Sequence, residues 1–545
     1  MTGRVLVIGL DGVGFDRIEP WAAAGKLPVL ARLLRRGARG PLLSTIPPVT
    51  GPAWATFLTG VNPGRHGVLE WTRRVEGSYG TAVVTGRDIG RPTLLDLVSA
   101  AGKRVISIGL PLTHPPRPVN GVIVPGIPAP EGERFETHPA EARQTLRRVA
   151  PEYRPSPESA HRWTRGGQVG ELLASAQARA AAATHFLSEE DWDLGIVHFQ
   201  ETDKVQHDHW GQASRGSDPI LSVFEEVDRL LAGLLEIARE REATVVLVSD
   251  HGMGSQEGTF SVNTWLWQEG YLALKGGAAG RVKRAAFRLG LTQRRFRRLG
   301  LLLYPLAYRL HLSRTFMDVG TGGPIARLIS SLFLSFDDVD WSRTRAYSRS
   351  DVGHVFLNRV GREPAGIVSD GEAPRLVAEI MERLQGVVNP RTGEPLLGEV
   401  FRREEVYAGD HLSDAPEVLF LPRDLRVLGA GASGFYSNHL FDRPQWRASH
   451  RMEGILIASG APFRPQVRIE GASLLDLVPN VLYLLDLPIP ADVEGRVWED
   501  AYPPCALAVR PPRFETAAGP VVRCDAGEDE EAELRRRLSS LGYLS

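Results

Sequence analysis

The sequence predicts an α/β protein built on a mostly parallel central sheet flanked by helices, with inserted cap subdomains. Short continuous apolar runs recur along the chain, helix-like segments separate them, and 545 residues exceed what one uninterrupted core accommodates. A strand covered by helices on both faces reads as an unbroken apolar run, whereas a strand with one wet face alternates. The runs are residues 4–9 (RVLVIG), 104–108, 122–124, 194–199 (LGIVHF) and 244–249 (TVVLVS). Their alternation with helical patterns is the mark of parallel strands joined by crossovers.

Composition narrows the function classes. Hydrophobic residues make up 43% and charged residues 24%, as in ordinary globular proteins. A net charge of −1 provides no field for a polyanion, so nucleic acid is not expected as a partner. The apolar run 5–10 is too short for an export signal and meets Asp11 at once, and no later run reaches membrane length. A cytoplasmic location is expected. The two cysteines, Cys505 and Cys524, could pair with each other, but they match neither a secreted disulfide framework nor a cysteine metal site.

The first run ends in Gly-Leu-Asp-Gly. A dinucleotide fingerprint would need glycine where Asp11 stands, and a carboxylate there would repel a pyrophosphate. Asp11 is left on the rim where open α/β sheets bind ligands, with a turn or capping role as the alternative. Residues 45–67, TIPPVTGPAWATFLTGVNPGRHG, place one hydroxyl, Thr50, ahead of a Gly-Pro step and an apolar run. Pro52 suits a first helical position and Thr50 a cap. A helix start offers free N–H groups and positive dipole, which favour an anion such as phosphate. Thr50 is thus a helix cap or a hydroxyl aimed at an anion.

Residues 93–101 read as a helix, and the weakly patterned 125–164 as a surface excursion. After 194–199 comes QETDKVQHDHWG, where Asp203 and His207 stand four apart on one helix face. That spacing suits a pair of metal ligands or an ordinary ion pair. His209, offset by two, points elsewhere. A helix is predicted over 219–241, and Asp250 and His251 directly follow 244–249, where the loop turns to the rim. The core's first part runs to 270.

Residues 271–340 form a basic helical insertion. Within it, 281–317 holds no acid and includes Arg294, Arg295, Arg297 and Arg298. It suits weak contact with an anionic membrane surface, or a cap whose basic face borders an anionic substrate or meets acid elsewhere. A small α+β cap insertion, 341–415, contains a helix over 372–387. The core resumes over 416–500, with apolar residues at 417–421, His450 before a strand over 455–459, His439 as its rival, and a closing helix over 473–485. A tail, 501–545, carries a charged surface helix.

Asp11, Thr50, Asp203, His207, Asp250, His251 and His450 mostly follow predicted strands or begin helices. Three Asp and three His are donors that Zn²⁺ accepts, and they suffice for two ions. Two metals about 4 Å apart can hold the attacking and leaving oxygens of a phosphoryl displacement.

In their order and separations, VLVIGLDG, PPVTGPAWATFLTGVNPGRHGV, ETDKVQHDHWG, VVLVSDHGM, SHRMEGILIASG and SLLDLVPNVLYLLDLPIPADVEGRVW resemble the alkaline phosphatase superfamily. The specific likeness is to its type I phosphodiesterase/nucleotide pyrophosphatase branch and related phosphohydrolases. The resemblance implies an alkaline-phosphatase-like fold and two divalent ions, Zn²⁺ or alternatively Mn²⁺. It places Asp11, Asp250, His251 and Thr50 on one ion, and Asp203, His207 and His450 on the other. It implies hydrolysis of small phosphate esters, foremost diesters, through a phosphothreonine at Thr50. Phosphomonoesterase, phosphomutase, and phosphotransferase acting on a lipid or glycan carrier are the alternatives. Ala53 and Trp71 stand where nucleotide pyrophosphatases usually carry asparagines, which weighs against nucleotide diesters. The sulfatase signature Cys/Ser-x-Pro-x-Arg is absent, and His66 is given a structural role.

Overall fold

Alternate residues of the strand Arg4–Leu10 face opposite sides of a sheet, and both sides are packed. Val5 and Val7 join a core with the helices Thr50–Thr59 and Leu477–Leu484. Leu6 and Ile8 join another with the helices Pro28–Arg36, Arg165–Glu189 and Pro219–Glu240. Burial from both sides is why the run does not alternate in polarity. The computed structural model describes residues 3–541 apart from 131, 157–164, 214–216, 293, 296–332, 433, 445 and 517–527.

The sheet has eight strands in the order Ala472–Ser473, Ala38–Leu43, Glu453–Ser459, Ala243–Val248, Arg4–Leu10, Leu194–Phe199, Val105–Ile108, Gly121–Val124. All run parallel except Glu453–Ser459, which is antiparallel to both neighbours. The carboxyl ends of Arg4–Leu10, Leu194–Phe199 and Ala243–Val248 therefore lie side by side at the sheet's centre. Helix starts follow local chemistry. Asp218 accepts from the N–H groups of Ile220 and Leu221 ahead of Pro219, and Thr93 and Asp96 cap each other at Leu94–Ala100.

A smaller sheet, Ala346–Tyr347, His354–Leu357, Val418–Pro422, Leu397–Arg402, is antiparallel and packs with the helix Ala373–Gln385 through Ile380, Leu384 and Phe420. Residues 417–421, read from the sequence as the return of the main core, lie in this smaller sheet. The chain re-enters the main sheet at Glu453.

The described residues of 125–156 are not the surface excursion expected from the weak pattern of 125–164. Residues 125–130 are buried, and Phe135, Leu146 and Tyr153 join the second core. The helix Glu528–Leu541 likewise buries Leu534 and Leu538 completely, while Glu530 meets Arg87 and His114. Two well-placed leucines suffice to seat a segment whose composition reads as exposed.

Most of the basic stretch 281–317, Arg297 and Arg298 included, lies outside the described residues. Within it, Arg294 pairs with Asp442 and Lys283 with Asp338, so acids elsewhere meet part of its charge. Among the described residues no helix is long and apolar enough to cross a membrane.

Candidate active site

Arg4–Leu10 delivers Asp11 into a turn that needs glycine next. Gly12 has φ +69°, and a Cβ there would stand 2.9 Å from Asp203 Oδ1. The helix Glu201–His209 grips this turn, since Thr202 donates to Asp11 O at 2.7 Å and Gln206 to Gly12 O at 2.8 Å. Ala243–Val248 delivers Asp250 and His251, with Ser249 donating to His251 O and accepting from Val13 N–H. His450 lies on Ala448–Arg451, paired with Gly252–Ser255.

Thr50 opens a helix buried along its whole length and closed by Gly60 in the left-handed conformation. Gly9 admits it, because a Cβ at Gly9 would lie 2.6 Å from the Trp54 ring. Thr50 is not the cap. Val49 holds that position, no side chain caps the helix, and the Thr50 hydroxyl lies 3.1 Å from His251 Nε2.

All seven residues singled out in the sequence converge here. His251 Nε2 is 3.2 Å from Asp250 Oδ2 and 3.6 Å from Asp11 Oδ1, and its ring stacks on His450 at 3.6 Å. Asp203 Oδ1 lies 3.4 Å from His207 Nε2 and 3.6 Å from His450 Nε2. Two sets could each enclose a cation: Asp203, His207 and His450, and Asp11, Asp203 and His251. Asp203 thus stands between the two sets, and Asp250 flanks the second through His251.

The donor chemistry fits metal ions. Each of the three histidines turns Nδ1 toward a carbonyl: His207 toward Ala448 O, His251 toward Gly252 O, His450 toward Pro48 O. An N–H held there leaves the Nε2 lone pair facing inward, the tautomer a ligand needs. His207 and His450 bring their Nε2 atoms to 3.0 Å, a meeting of lone pairs that a proton or a cation must relieve. Asp11 Oδ1 and Asp250 Oδ2 are buried and accept no hydrogen bond from the described residues.

Electrostatics agrees. Burial, then the neighbouring Asp203, pushes Asp11 well above the ordinary aspartate range, and burial, then Asp11, does the same to Asp250. Burial would also raise Asp203, but His207 and His450 hold it below that range. Burial lowers His450, with the His251 charge adding to it, while Asp203 outweighs burial at His207 and raises it. Three buried acids this close are tolerated as protonated groups or around positive charge.

The sequence reading missed His198. It hides inside the apolar strand Leu194–Phe199, with Nδ1 3.1 Å from Gly109 O and Nε2 3.0 Å from Asp11 Oδ2. Burial, with Arg179 nearby, pushes it down to about 3, so the ring stays neutral beside Asp11. An imidazole in the next-to-last position of a core strand was the available signal. His66 is structural: it meets Thr56 Oγ1 through Nε2 and accepts from Val68 N–H through Nδ1. His209 faces Gln212, and His439 is exposed.

The sequence matches the family model described as type I phosphodiesterase / nucleotide pyrophosphatase over residues 5–425. No curated protein matches it. Among solved structures, phosphonoacetate hydrolase from Sinorhizobium meliloti 1021 in complex with phosphonoacetate aligns with TM-score 0.55 and 17% identity, over 89% of this chain and 96% of that one. The same enzyme in complex with phosphonoformate aligns with TM-score 0.54. Human ectonucleotide pyrophosphatase / phosphodiesterase 5 aligns with TM-score 0.48 and 13% identity, over 90% and 97%. At these identities the likeness is one of fold.

Proposed function

Because the chain belongs to the type I phosphodiesterase/nucleotide pyrophosphatase family, hydrolases of phosphoric esters with the alkaline phosphatase fold, we propose that it is a metal-dependent phosphodiesterase whose nucleophile is Thr50. The Thr50 hydroxyl carries this reading: it is fully buried at an uncapped helix start, 3.1 Å from His251 Nε2, which itself meets Asp250 and Asp11. A threonine serving only as a helix cap would turn that hydroxyl to its own backbone.

Asp203, His207 and His450 would hold one divalent ion, and Asp11, Asp250, His251 and Thr50 Oγ1 the other, with Asp203 between them. The imidazole-rich donor set suits Zn²⁺, with Mn²⁺ as the alternative where carboxylates dominate. Bound there, the ions would supply positive charge that favours the alkoxide of Thr50 and neutralises charge developing on phosphoryl oxygens.

Thr50 Oγ1 would bond to phosphorus as the bond to the leaving oxygen breaks; the proton Thr50 gives up is balanced by the one the leaving alcohol takes up. Water then hydrolyses the phosphothreonine. The first-turn N–H groups, which no side chain caps, are donors suited to the phosphoryl oxygens. Asp250 accepts from Gly12 N–H at 3.3 Å, and His198 steadies Asp11. Nucleotides are not the favoured substrate. Ala53 is fully buried and its methyl side chain offers no hydrogen bond, and Trp71 packs its ring against Gly51 beside Thr50.

Replacing Thr50 tests this. Thr50→Ala at saturating metal should lower kcat/KM on bis(4-nitrophenyl) phosphate more than ~1,000-fold while the fold stays intact. Activity within twofold of the unaltered protein would remove Thr50 from the nucleophile's role.

A further inference from the structure

Beside His207 and His450 opens a cleft, mostly apolar in its lining, that encloses about 850 Å³ when the open solvent at its mouth is included. Its walls are apolar. Pro47, Trp71 and Trp446 come from the main domain's side, and Leu421 and Leu428 from the smaller sheet and the strand Val427–Ala430. Trp446 lies 6.3 Å from the His207 ring, so the apolar wall runs directly into the histidine cluster.

Two polar side chains in this wall, Asp351 and Ser449, are already engaged. Asp351 accepts from the N–H groups of Gly431 and Ala432, and the Ser449 hydroxyl donates to Leu425 O. Among the described residues no lysine or arginine lines the cleft. A second phosphate or a carboxylate would find no counter-charge there and would face Asp351. A ribose or a base edge would exchange water for few hydrogen bonds. An alkyl or aryl group would instead gain by leaving water.

Building on the phosphodiesterase reading, we propose that this cleft receives an uncharged alkyl or aryl substituent of the phosphate ester, so that the preferred substrates are lipophilic phosphodiesters.

A chain-length series of 4-nitrophenyl alkyl phosphates, methyl to octyl, on the metal-loaded full-length protein tests this. The value of kcat/KM should rise about two- to fourfold per methylene until the cleft is filled. An ω-carboxyalkyl ester of matched length should fall at least tenfold below its alkyl counterpart. Trp446→Ala and Leu428→Asp should flatten the dependence on chain length.

Binding of non-cleaved dimethyl, dibutyl and dioctyl phosphates, followed by tryptophan fluorescence, should show the same dependence without relying on turnover. Hydrolysis of every ester at similar efficiency, with binding insensitive to chain length, would overturn the apolar subsite and leave the phosphodiesterase reading intact. Chain-length-dependent binding without hydrolysis of any ester would support the cleft and overturn the catalytic reading.

Discussion

The two halves of the Asp/His cluster meet water differently. Asp11, Thr50, Asp250 and His251 are completely buried, whereas His207 and His450 keep 16% of their side-chain surface exposed at the edge of the apolar cleft. The sealed half holds the hydroxyl and two acids pushed toward the protonated state. The open half holds two imidazoles at the cleft edge. On the proposed reading, nucleophile and substrate entry belong to different parts of one cluster, with Asp203 between them. The sealed half gains most from positive charge, because its groups are shielded from bulk solvent.

The largest effect should come from the sealed half. Asp11→Asn removes a ligand and a negative charge from a dry site, so activity should fall more than ~1,000-fold even at saturating metal. The chelator-treated variant should melt no lower than the chelator-treated parent, since a neutral amide replaces a buried acid that already resists ionisation. Kinetics and calorimetry on the same preparations separate these outcomes. A variant that loses stability but keeps activity would reverse the assignment.

The open half should be separable. His207→Ala should reduce the bound divalent ions from two per chain to one, measured by elemental analysis after exhaustive dialysis, while the sealed half keeps its ion. Loss of both ions together would show that the halves bind as one unit through Asp203.

A smaller effect follows from protonation. Asp11 and Asp250 are held above the ordinary carboxylate range, so their favourable contribution to the metal-free fold is complete at low pH and is lost as pH rises through their elevated values. Metal binding displaces those protons and is favoured over the same interval. The difference in melting temperature between metal-loaded and chelator-treated protein should therefore widen as pH is raised from about 5 to about 8. A difference that narrows would contradict the shifted acids.

The sequence revealed what depends on local pattern. Six strands of the main sheet are legible, the one at 455–459 included, because both faces are packed and leave continuous apolar runs. The strand Ala38–Leu43, ARGPLL, escaped detection, since it carries a proline, an arginine and no β-branched residue. The seven clustered residues were legible as candidates from their positions at strand ends and helix starts. The bridging place of Asp203 was not, because it depends on how closely the turn at Gly12 lets that carboxylate approach. His198 was masked by its apolar neighbours. Trp446 drew no attention because only folding brings it beside His207 and opposite Leu428, from a different stretch of chain.

Trapping the covalent intermediate tests the central claim most directly. Metal-loaded protein mixed with bis(4-nitrophenyl) phosphate, quenched in acid within the first turnovers and digested, should yield the peptide containing Thr50 with a phosphoryl group on that residue, and Thr50→Ala should yield none. Turnover with no label on Thr50, or with the label on another side chain, would contradict the account.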